Sequence, residues 1–380
     1  MLMLLLLAGV VFVIVLRSTP QAATIDTEFL SDNAEQKLAY IRNKIQSDYL
    51  FDYSSVDYET EMIRAYVDSL GDPYSVYYTP DEYQELMESN SGTYYGIGVS
   101  VSQDPETGVI TVIQVFRDSP AYEVGVQPED QIYAVNGEVV GTTDINLIVT
   151  KIRGESGSKV KIQFYRPSIN DFVEFDIERR EVQVESASGK MLEGNIGYIQ
   201  ISSFDEVTLQ QFARAYNELY AQGAKAVIFD LRNNGGGLLS SVVDIVDQLV
   251  PSGLITYIED KNGNRSEYRS DANDVLHMPA VVLVNGYTAS ASEIFTAALQ
   301  DHGKATIIGT KTFGKGIVQT IYSMSDGSGL KLTIARYYTP KGVCIHGVGI
   351  APDIEVEEDY TTEEDEQLAE AIRVLLEKLR

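Results

Sequence analysis

Two residues of this chain, Ser290 and Lys315, have side chains suited to nucleophilic catalysis without a histidine. A serine needs a base before it can attack a carbonyl carbon, and a lysine that is held neutral can be that base. The three histidines, His277, His302 and His346, sit in no motif with a nearby acid. We therefore expect Ser290 to be the nucleophile and Lys315 its base.

The residues around Ser290 predict a strand followed by a helix. Residues 280–286 form a short apolar run that ends in Asn-Gly, which is typical of a buried strand, and residues 291–300 have a helical pattern. Ser290 would then lie at a turn where backbone N–H groups and the helix dipole favour developing negative charge. Serine is also a frequent helix N-cap, so the position alone is equally consistent with a capping role.

The residues that follow Lys315 predict a strand that would orient its amine. Lys315, Ile317 and Gln319 alternate, so on a strand their side chains share one face and Gln319 would hold the amine. The alternative interpretation is that Lys315 is an exposed charge on a loop.

A second strand leads into a glycine-rich loop. Residues 226–232 are predicted to form a buried strand that runs into residues 233–237, which are Asn-Asn-Gly-Gly-Gly. Glycines let backbone N–H groups approach a ligand closely, so this loop would share an oxyanion with the amide of Ala291. The alternative is a flexible turn before a helix that starts near Leu238. The loop does not have the dinucleotide-binding fingerprint.

Seven segments, read in order along the chain, define a family pattern. They are residues 71–77 (GDPYSVY), 196–199 (IGYI), 230–234 (DLRNN), 290–293 (SASE), 314–316 (GKG) with Gln319, 338–340 (YTP) and 349–353 (GIAPD). With these segments the chain resembles the carboxyl-terminal processing peptidases, also called tail-specific proteases. The resemblance implies a multidomain α/β protein, with an α/β protease core of the crotonase/ClpP-like spiral type, a PDZ-like domain and an N-terminal helical region.

The resemblance also implies a set of site residues. By motif position the family's Ser–Lys dyad and supporting glutamine fall on Ser290, Lys315 and Gln319, and its oxyanion donors fall on Gly236 and Ala291. One departure is residue 235, a glycine where the family commonly has proline. We expect this glycine to loosen the loop and to leave the donor at Gly236 in place.

The implied reaction is that of a serine endopeptidase that uses neither a metal nor a cofactor. The pKa of Lys315 would have to fall from about 10.4 towards roughly 7–8, which corresponds to about 4 kcal/mol. Burial among Phe313, Ile317 and Val318 would lower it, because desolvation penalises the ammonium form. Cys344 and the scattered histidines make no zinc pattern.

Residues 92–168 resemble a PDZ domain. Such domains add an extended C-terminal peptide to a sheet edge and hold its carboxylate with backbone N–H groups of a glycine-containing loop. The loop matches residues Tyr95, Gly96, Ile97 and Gly98, whereas Val124 and Glu129 depart from the usual pattern. The resemblance implies protein or peptide substrates with apolar C-terminal tails.

Arg153 ends a helix predicted over residues 144–153. We expect it to control protease activity by contacting the catalytic core when a peptide binds to the PDZ-like domain. An ordinary surface arginine is the alternative, because the helix dipole favours a cation at this end.

Composition and the N-terminus bear on location and partners. The net charge of −27 argues against nucleic-acid binding, which needs a basic face. Residues 1–17, an apolar run closed by an arginine, are expected to be a signal or membrane-anchor segment, and small residues near position 22 leave cleavage open. We expect the protein at the extracytoplasmic face of a bacterial cell membrane, anchored or secreted.

The remaining divisions follow from helical patterns and from the motifs. Residues 24–91 are predicted to be mostly helical and would cover the core or form a homodimer contact. Residues 169–358 would be the catalytic core, and residues 359–380 a C-terminal amphipathic helix with Leu368, Ile372 and Leu375 buried.

Two other functions fit parts of this pattern. A catalytically silent, membrane-anchored PDZ adaptor would share the peptide-binding domain, and an acyl-CoA enzyme of crotonase-like architecture would share the oxyanion loop. The complete set of Ser290, Lys315 and Gln319 argues against the adaptor. A dedicated nucleophile and the PDZ-like region argue against the acyl-CoA enzyme.

Overall fold

The computed structural model of the protein describes residues 31–271, 276–358 and 364–380. The predicted signal or anchor segment, residues 1–17, lies outside the described residues. Contacts divide the chain into two units, one of residues 31–83 with Gln319–Thr333 and one of Gln84–Val318 with Ile334–Arg380. Within the described ranges, no helix is both long enough and apolar enough to cross a membrane.

The described residues form nine helices. They are α1 (Asp32–Asp48), α2 (Tyr58–Asp68), α3 (Pro80–Ser91), α4 (Pro120–Val124), α5 (Ile145–Ile152), α6 (Thr208–Ala221), α7 (Leu239–Asp247), α8 (Ala291–Asp301) and α9 (Glu366–Lys378).

The strands that the structure describes are β1 (Val76–Tyr78), β2 (Thr93–Gly96), β3 (Val99–Gln103), β4 (Ile110–Val115), β5 (Gln131–Val135), β6 (Glu138–Val139), β7 (Lys159–Arg166), β8 (Asp171–Glu178), β9 (Arg180–Gln183), β10 (Ala187–Leu192), β11 (Ile196–Ile201), β12 (Ala226–Asp230), β13 (Gly253–Asp260), β14 (Arg265–Ser270), β15 (Ala280–Val284), β16 (Ala305–Gly309), β17 (Ile317–Ser323), β18 (Gly329–Tyr338) and β19 (Ile354–Glu355).

The first unit contains α1, α2 and a short pairing of β1 with β18, in which Val76 lies opposite Lys331. Thr79 immediately precedes α3 and forms a capping box with Glu82, because the Thr79 amide donates to Glu82 Oε2 at 2.9 Å. Many apolar side chains of α1 and α2 are exposed, with Leu38 43% accessible and Met62 55% accessible, whereas Val67 of α2 is buried. These helices therefore present apolar surface to solvent in this unit.

The second unit is built on a six-stranded sheet in the order β10-β11-β12-β15-β16-β19. Neighbouring strands of this sheet are parallel in the series β11, β12, β15, β16 and β19. The remaining strand, β10, runs antiparallel to β11. Side chains of β12 alternate between two cores, with Val227 and Phe229 packed in the core formed with α6, α7 and α8, and Ile228 packed in the core that contains α9. Burial on both faces explains the continuous apolar runs that predicted these strands.

This topology determines which loops meet. The strands β12, β15 and β16 are adjacent and parallel, so the loops that follow them lie at the same edge of the sheet. Those loops contain residues 231–238, 285–290 and 310–316, which include the glycine-rich loop, Ser290 and Lys315.

A second sheet in this unit, of order β3-β4-β5-β7-β8, forms the region predicted to be PDZ-like, and β6 pairs with β5. Its core includes Ile110, Val160, Ile162 and Phe164. The strand β3 is at the edge of the sheet, and α5 contributes Ile148 to the core. An edge strand beside a helix is the arrangement that peptide addition requires.

Two sequence expectations change in detail. The strand β17 begins only at Ile317, so Lys315 lies in the preceding loop and does not share a strand face with Gln319. In α9, Leu375 is fully buried, whereas Leu368 and Ile372 are only partly buried beside it. The glycines around Lys315 break the strand pattern that the alternation suggested.

Candidate active site

Ser290 lies at the turn between β15 and α8 in a conformation that serine rarely adopts. Its φ is 56° and its ψ is −117°, and it immediately precedes Ala291, the first residue of the helix. A positive φ in a residue other than glycine costs free energy and is typical of functional sites. The side chain is half-buried.

The turn is fixed from the neighbouring strand loop. The Thr288 hydroxyl donates to the Leu231 carbonyl at 2.9 Å, and the Ala289 amide donates to the Asn234 carbonyl at 3.0 Å. The loops after β12 and β15 are therefore bonded to each other beside Ser290.

The glycine-rich loop contacts the serine directly. A Cβ added to Gly236 would lie 2.8 Å from Ser290 Cβ and 2.9 Å from the amide nitrogen of Ala291. The two predicted oxyanion donors, Gly236 and Ala291, are thus brought together next to Ser290. The Gly236 amide donates to Asn234 Oδ1 at 2.8 Å.

Lys315 lies in the loop between β16 and β17 and is half-buried. Ile317, which the sequence placed beside it as an apolar neighbour, is buried, whereas Phe313 is 57% exposed. A side chain so exposed contributes little desolvation, so Phe313 does not supply the apolar pocket that we expected of it.

A carboxylate that we did not predict to be functional joins the two loops. Glu293, in the first turn of α8, is fully buried and accepts the amides of Ser290 at 2.8 Å and Lys315 at 2.9 Å on the same oxygen, Oε2. A sequence signal existed, because this is the one acidic residue within the apolar run of residues 291–299. A carboxylate is almost never fully buried unless its oxygens have partners, so a glutamate inside an apolar run indicates specific contacts.

The Tyr337 hydroxyl completes this cluster. It donates to the Ser290 carbonyl at 3.0 Å and lies 3.5 Å from Glu293 Oε2. Burial, and then the charge of Glu293, raise the pKa of Tyr337 well above its ordinary value of 10.0. The phenol therefore stays protonated and remains a donor.

Gln319 belongs to the first unit. There its side-chain amide donates to Thr333 Oγ1 at 3.3 Å, and the Thr333 amide donates to Ser75 Oγ at 3.1 Å. Ser75 lies in the segment of residues 71–77 that contributed to the family resemblance.

The histidines have different surroundings. His277 is exposed, and His302 Nε2 lies 2.8 Å from the Leu254 carbonyl oxygen. The backbone of His346 lies against Gly316, next to Lys315, and its side chain is exposed. Within the described residues, no group of three or more His, Cys, Asp or Glu side chains could hold a metal ion.

An apolar groove of about 270 Å³ lies between β3 and α5. It is lined by Gly96, Ile97, Val99, Val149 and Ile152 among others. The predicted carboxylate-binding loop thus lies at this groove.

The predicted carboxylate-binding loop, residues 95–98, requires glycine at position 98. Gly98 has a φ of 85°, and a Cβ there would collide with Ser119. Ile97 is buried, and Tyr95 is exposed with its hydroxyl 3.4 Å from Glu181 Oε2.

Arg153 caps the C-terminal end of α5 and lines the same groove. Its guanidinium lies 4.8 Å from the centre of the Tyr94 ring, and one of its nitrogens is 3.9 Å from Glu88 Oε2. The residue is therefore placed where a bound peptide would meet it.

Comparison with protein-family models identifies two regions of the chain. Residues 195–356 match the model of peptidase family S41, and residues 111–166 match a PDZ domain. Both matches lie inside the predicted ranges, and the boundaries themselves remain predictions.

Similar proteins cover most of the chain. The carboxy-terminal processing protease CtpA of Bacillus subtilis is 37% identical over 86% of this chain and 70% of its own length. A carboxyl-terminal-processing protease of Synechocystis is 35% identical over 76% of this chain and 69% of its own length. The structure of a photosystem II D1 C-terminal processing protease is 29% identical with a TM-score of 0.50, covering 90% of this chain and 91% of that one. These likenesses confirm the predicted fold class.

Proposed function

Because the chain belongs to the carboxy-terminal processing proteases of peptidase family S41, we propose that it cuts polypeptides near their C-termini with Ser290 as nucleophile and Lys315 as base. One observation carries the proposal: the amides of both residues donate to the same oxygen of Glu293, so the two backbones are held side by side. Neither a metal nor a cofactor takes part in it.

The reaction proceeds in two halves. The Ser290 hydroxyl oxygen attacks the scissile carbonyl carbon while the neutral Lys315 amine takes the hydroxyl proton. Collapse of the tetrahedral intermediate breaks the C–N bond, and Lys315 returns the proton to the leaving amine. Water, deprotonated by the same amine, then attacks the acyl carbon, the ester C–O bond to Ser290 breaks, and the amine returns the proton to the Ser290 oxygen.

The Gly236 and Ala291 amides are assigned to the oxyanion. The Gly236 amide has to leave Asn234 Oδ1 for the oxyanion, which is the stronger acceptor because it is charged. The role of Gln319 in orienting the Lys315 amine rests on the family pattern and on its position four residues after the lysine.

Substrate recognition is assigned to the PDZ groove. An apolar C-terminal tail would add to the edge strand β3, with its side chains against Val149 and Ile152 and its carboxylate at residues 95–98. The substrates would be proteins at the extracytoplasmic face of a bacterial membrane, a location that rests on residues 1–17 and on the resemblance.

Gating is assigned to Arg153. A peptide that enters the groove would displace the guanidinium from the Tyr94 ring and from Glu88, and so free it to contact the catalytic core. We predict that Arg153→Ala removes stimulation of cleavage by a free peptide with an apolar C-terminus, while basal cleavage of a short substrate is unchanged. Stimulation that persists in Arg153→Ala, measured by the cleavage rate against peptide concentration, would rule out this role.

The experiment that tests the function uses the chain from Thr24 onward and an unfolded reporter with an apolar C-terminal tail. We expect cleavage by the parent with free activating peptide present, and none by Ser290→Ala or Lys315→Ala. Cleavage that survives both substitutions would place the active site elsewhere. Tail binding without cleavage under any condition would favour an adaptor, and binding of coenzyme A would favour an acyl-CoA enzyme.

A further inference from the structure

The carboxylate of Glu293 makes more bonds than a helix cap requires. Its Oε2 accepts the amides of Ser290 and Lys315, and its Oε1 accepts the Gly314 amide at 2.8 Å and the Thr312 hydroxyl at 2.6 Å. An N-terminal capping box needs only the bond to the Ser290 amide. Three of the four donors lie in the Lys315 loop, outside the helix.

Burial of this charge demands those donors. The side chain is fully buried, and an ionised carboxylate in such a place costs several kcal/mol unless its lone pairs are satisfied. Both oxygens act only as acceptors, which is the bonding pattern of the ionised form. The negative charge also lies in the first turn of α8, where the helix dipole favours it.

We infer that Glu293 is a positioning residue of the reaction, which ties the loop of Lys315 to the turn of Ser290 and so fixes the separation of amine and hydroxyl. This inference rests on the proposed function. The strained backbone of Ser290, with its positive φ, is held in place by the same carboxylate. Glu293 would act through the backbones of the two residues, because the bonds described above go to backbone amides and to the Thr312 hydroxyl.

The bonding pattern predicts which substitutions matter. In Glu293→Gln one oxygen becomes an NH₂ group, which turns its protons towards two donors whichever way the amide is placed. If the NH₂ group replaces Oε2, the Ser290 turn loses its bond and the Lys315 loop loses one of three; if it replaces Oε1, the Lys315 loop loses two of three. Misplacement of a catalytic group by about 1 Å can cost on the order of 10² in rate.

The test compares Glu293→Gln with a matched control from the same helix. Thr296 is also fully buried, and its hydroxyl donates to the Ser292 carbonyl at 2.7 Å, away from both catalytic residues. We expect Glu293→Gln to lower kcat per folded molecule on the order of 10²-fold with KM changed by less than about threefold. Thr296→Val should lower the melting temperature but retain the kcat of the parent.

A second pair of variants covers the case in which Glu293→Gln does not fold. Thr312→Val removes one donor from Glu293, whereas Thr312→Ser keeps the hydroxyl. We expect kcat to fall about tenfold in the valine variant and to be largely retained in the serine variant. Equal kcat in both, or a folded Glu293→Gln with the kcat of the parent, would overturn the inference.

Parent protein and Ser290→Ala are run beside these variants. Cleavage by the parent and none by Ser290→Ala, together with unchanged kcat in Glu293→Gln, would reject only the positioning role. Absence of cleavage by the parent, or cleavage by Ser290→Ala, would reject the proposed function itself.

Discussion

Two neighbouring glycines of the oxyanion loop have opposite surroundings. Gly236 has a φ of 105° and is packed so closely against Ser290 and the Ala289 carbonyl that no Cβ fits. Gly235 is exposed, and a Cβ built there would meet nothing within 4 Å. Of these two positions only Gly236 is required to be glycine by the structure, and a Cβ at position 235, where the family commonly has proline, would not contact the site.

This difference gives a prediction with a built-in control. Gly236→Ala should lower kcat on the order of 10²–10³-fold, because the methyl group displaces an oxyanion donor. Gly235→Ala should retain activity and raise the free energy of unfolding by about 0.4–1 kcal/mol, because it reduces the entropy of the unfolded chain. Steady-state kinetics and urea unfolding measure both effects, and a Gly236→Ala enzyme with parental kcat would contradict the assignment.

At this scale residue type and motif predict Ser290 and Lys315 as the reactive residues, but they do not predict which contacts hold the two residues in place. The role of Glu293 is not predicted in this way, because it depends on a loop that returns to the helix from 22 residues away. No local periodicity encodes such a contact.

At the scale of elements, one arginine joins the C-terminal helix to the sheet. Arg232 donates to both oxygens of Asp230 and to both oxygens of Asp365, the N-cap of α9, and it also reaches Glu358 at 3.1 Å. Asp230 is buried, and Tyr198 also donates to it at 2.7 Å. The same arginine lies in the loop that leads to Gly236.

We predict that Arg232→Ala lowers the free energy of unfolding by about 3–5 kcal/mol, because it leaves the buried carboxylate of Asp230 without its cation. Arg373→Ala, which removes an arginine from exposed ion pairs on α9, should cause no comparable loss. Denaturant unfolding of the two variants measures the difference. Equal losses would contradict the account of this network.

The same network predicts a pH dependence. Burial would raise the pKa of Asp365, but the bonds from Arg232 outweigh burial and hold that pKa below its ordinary value of 3.8. A lowered pKa in the folded state stabilises the fold fully above about pH 4, and the contribution is lost as the pH falls through the lower value. Arg232→Ala should therefore flatten the acid limb of stability against pH, and an unchanged limb would argue against this link.

The elements themselves were largely predictable. The strands β12 and β15 and the helices α5 and α8 appear within one or two residues of the predicted ranges, because buried parallel strands and amphipathic helices have strong patterns. The strand around Lys315 was misplaced, because alternation over three residues is too short to override the glycines on both sides of the lysine.

At the scale of the whole molecule, the two units are not contiguous in sequence. The first combines residues 31–83 with Gln319–Thr333. No change in composition along the sequence predicts this combination. Its helices carry an apolar groove of about 640 Å³ lined by Leu38, Ile41, Ile45 and Met62, among others. Exposed apolar surface of this kind is typical of an interaction site.

We predict that this face forms a homodimer contact. Leu38→Glu combined with Ile41→Glu should convert the dimer into a monomer, because two charges per chain would be buried in the interface. Tyr220→Glu, which changes an exposed aromatic residue of the second unit, should not. Sedimentation velocity reports the mass, and a parent protein that is monomeric at all concentrations would contradict the prediction.

The most direct test of the central claim is covalent labelling of Ser290. Parent, Ser290→Ala and Lys315→Ala proteins are treated with a serine-reactive fluorophosphonate, with an activating peptide present, and the adduct is located by peptide mass spectrometry. We predict a single adduct on Ser290 in the parent, none in Ser290→Ala, and a strongly slowed reaction in Lys315→Ala. Labelling of Ser290 at the parental rate in Lys315→Ala, or an adduct on another serine, would contradict the assignment of the dyad.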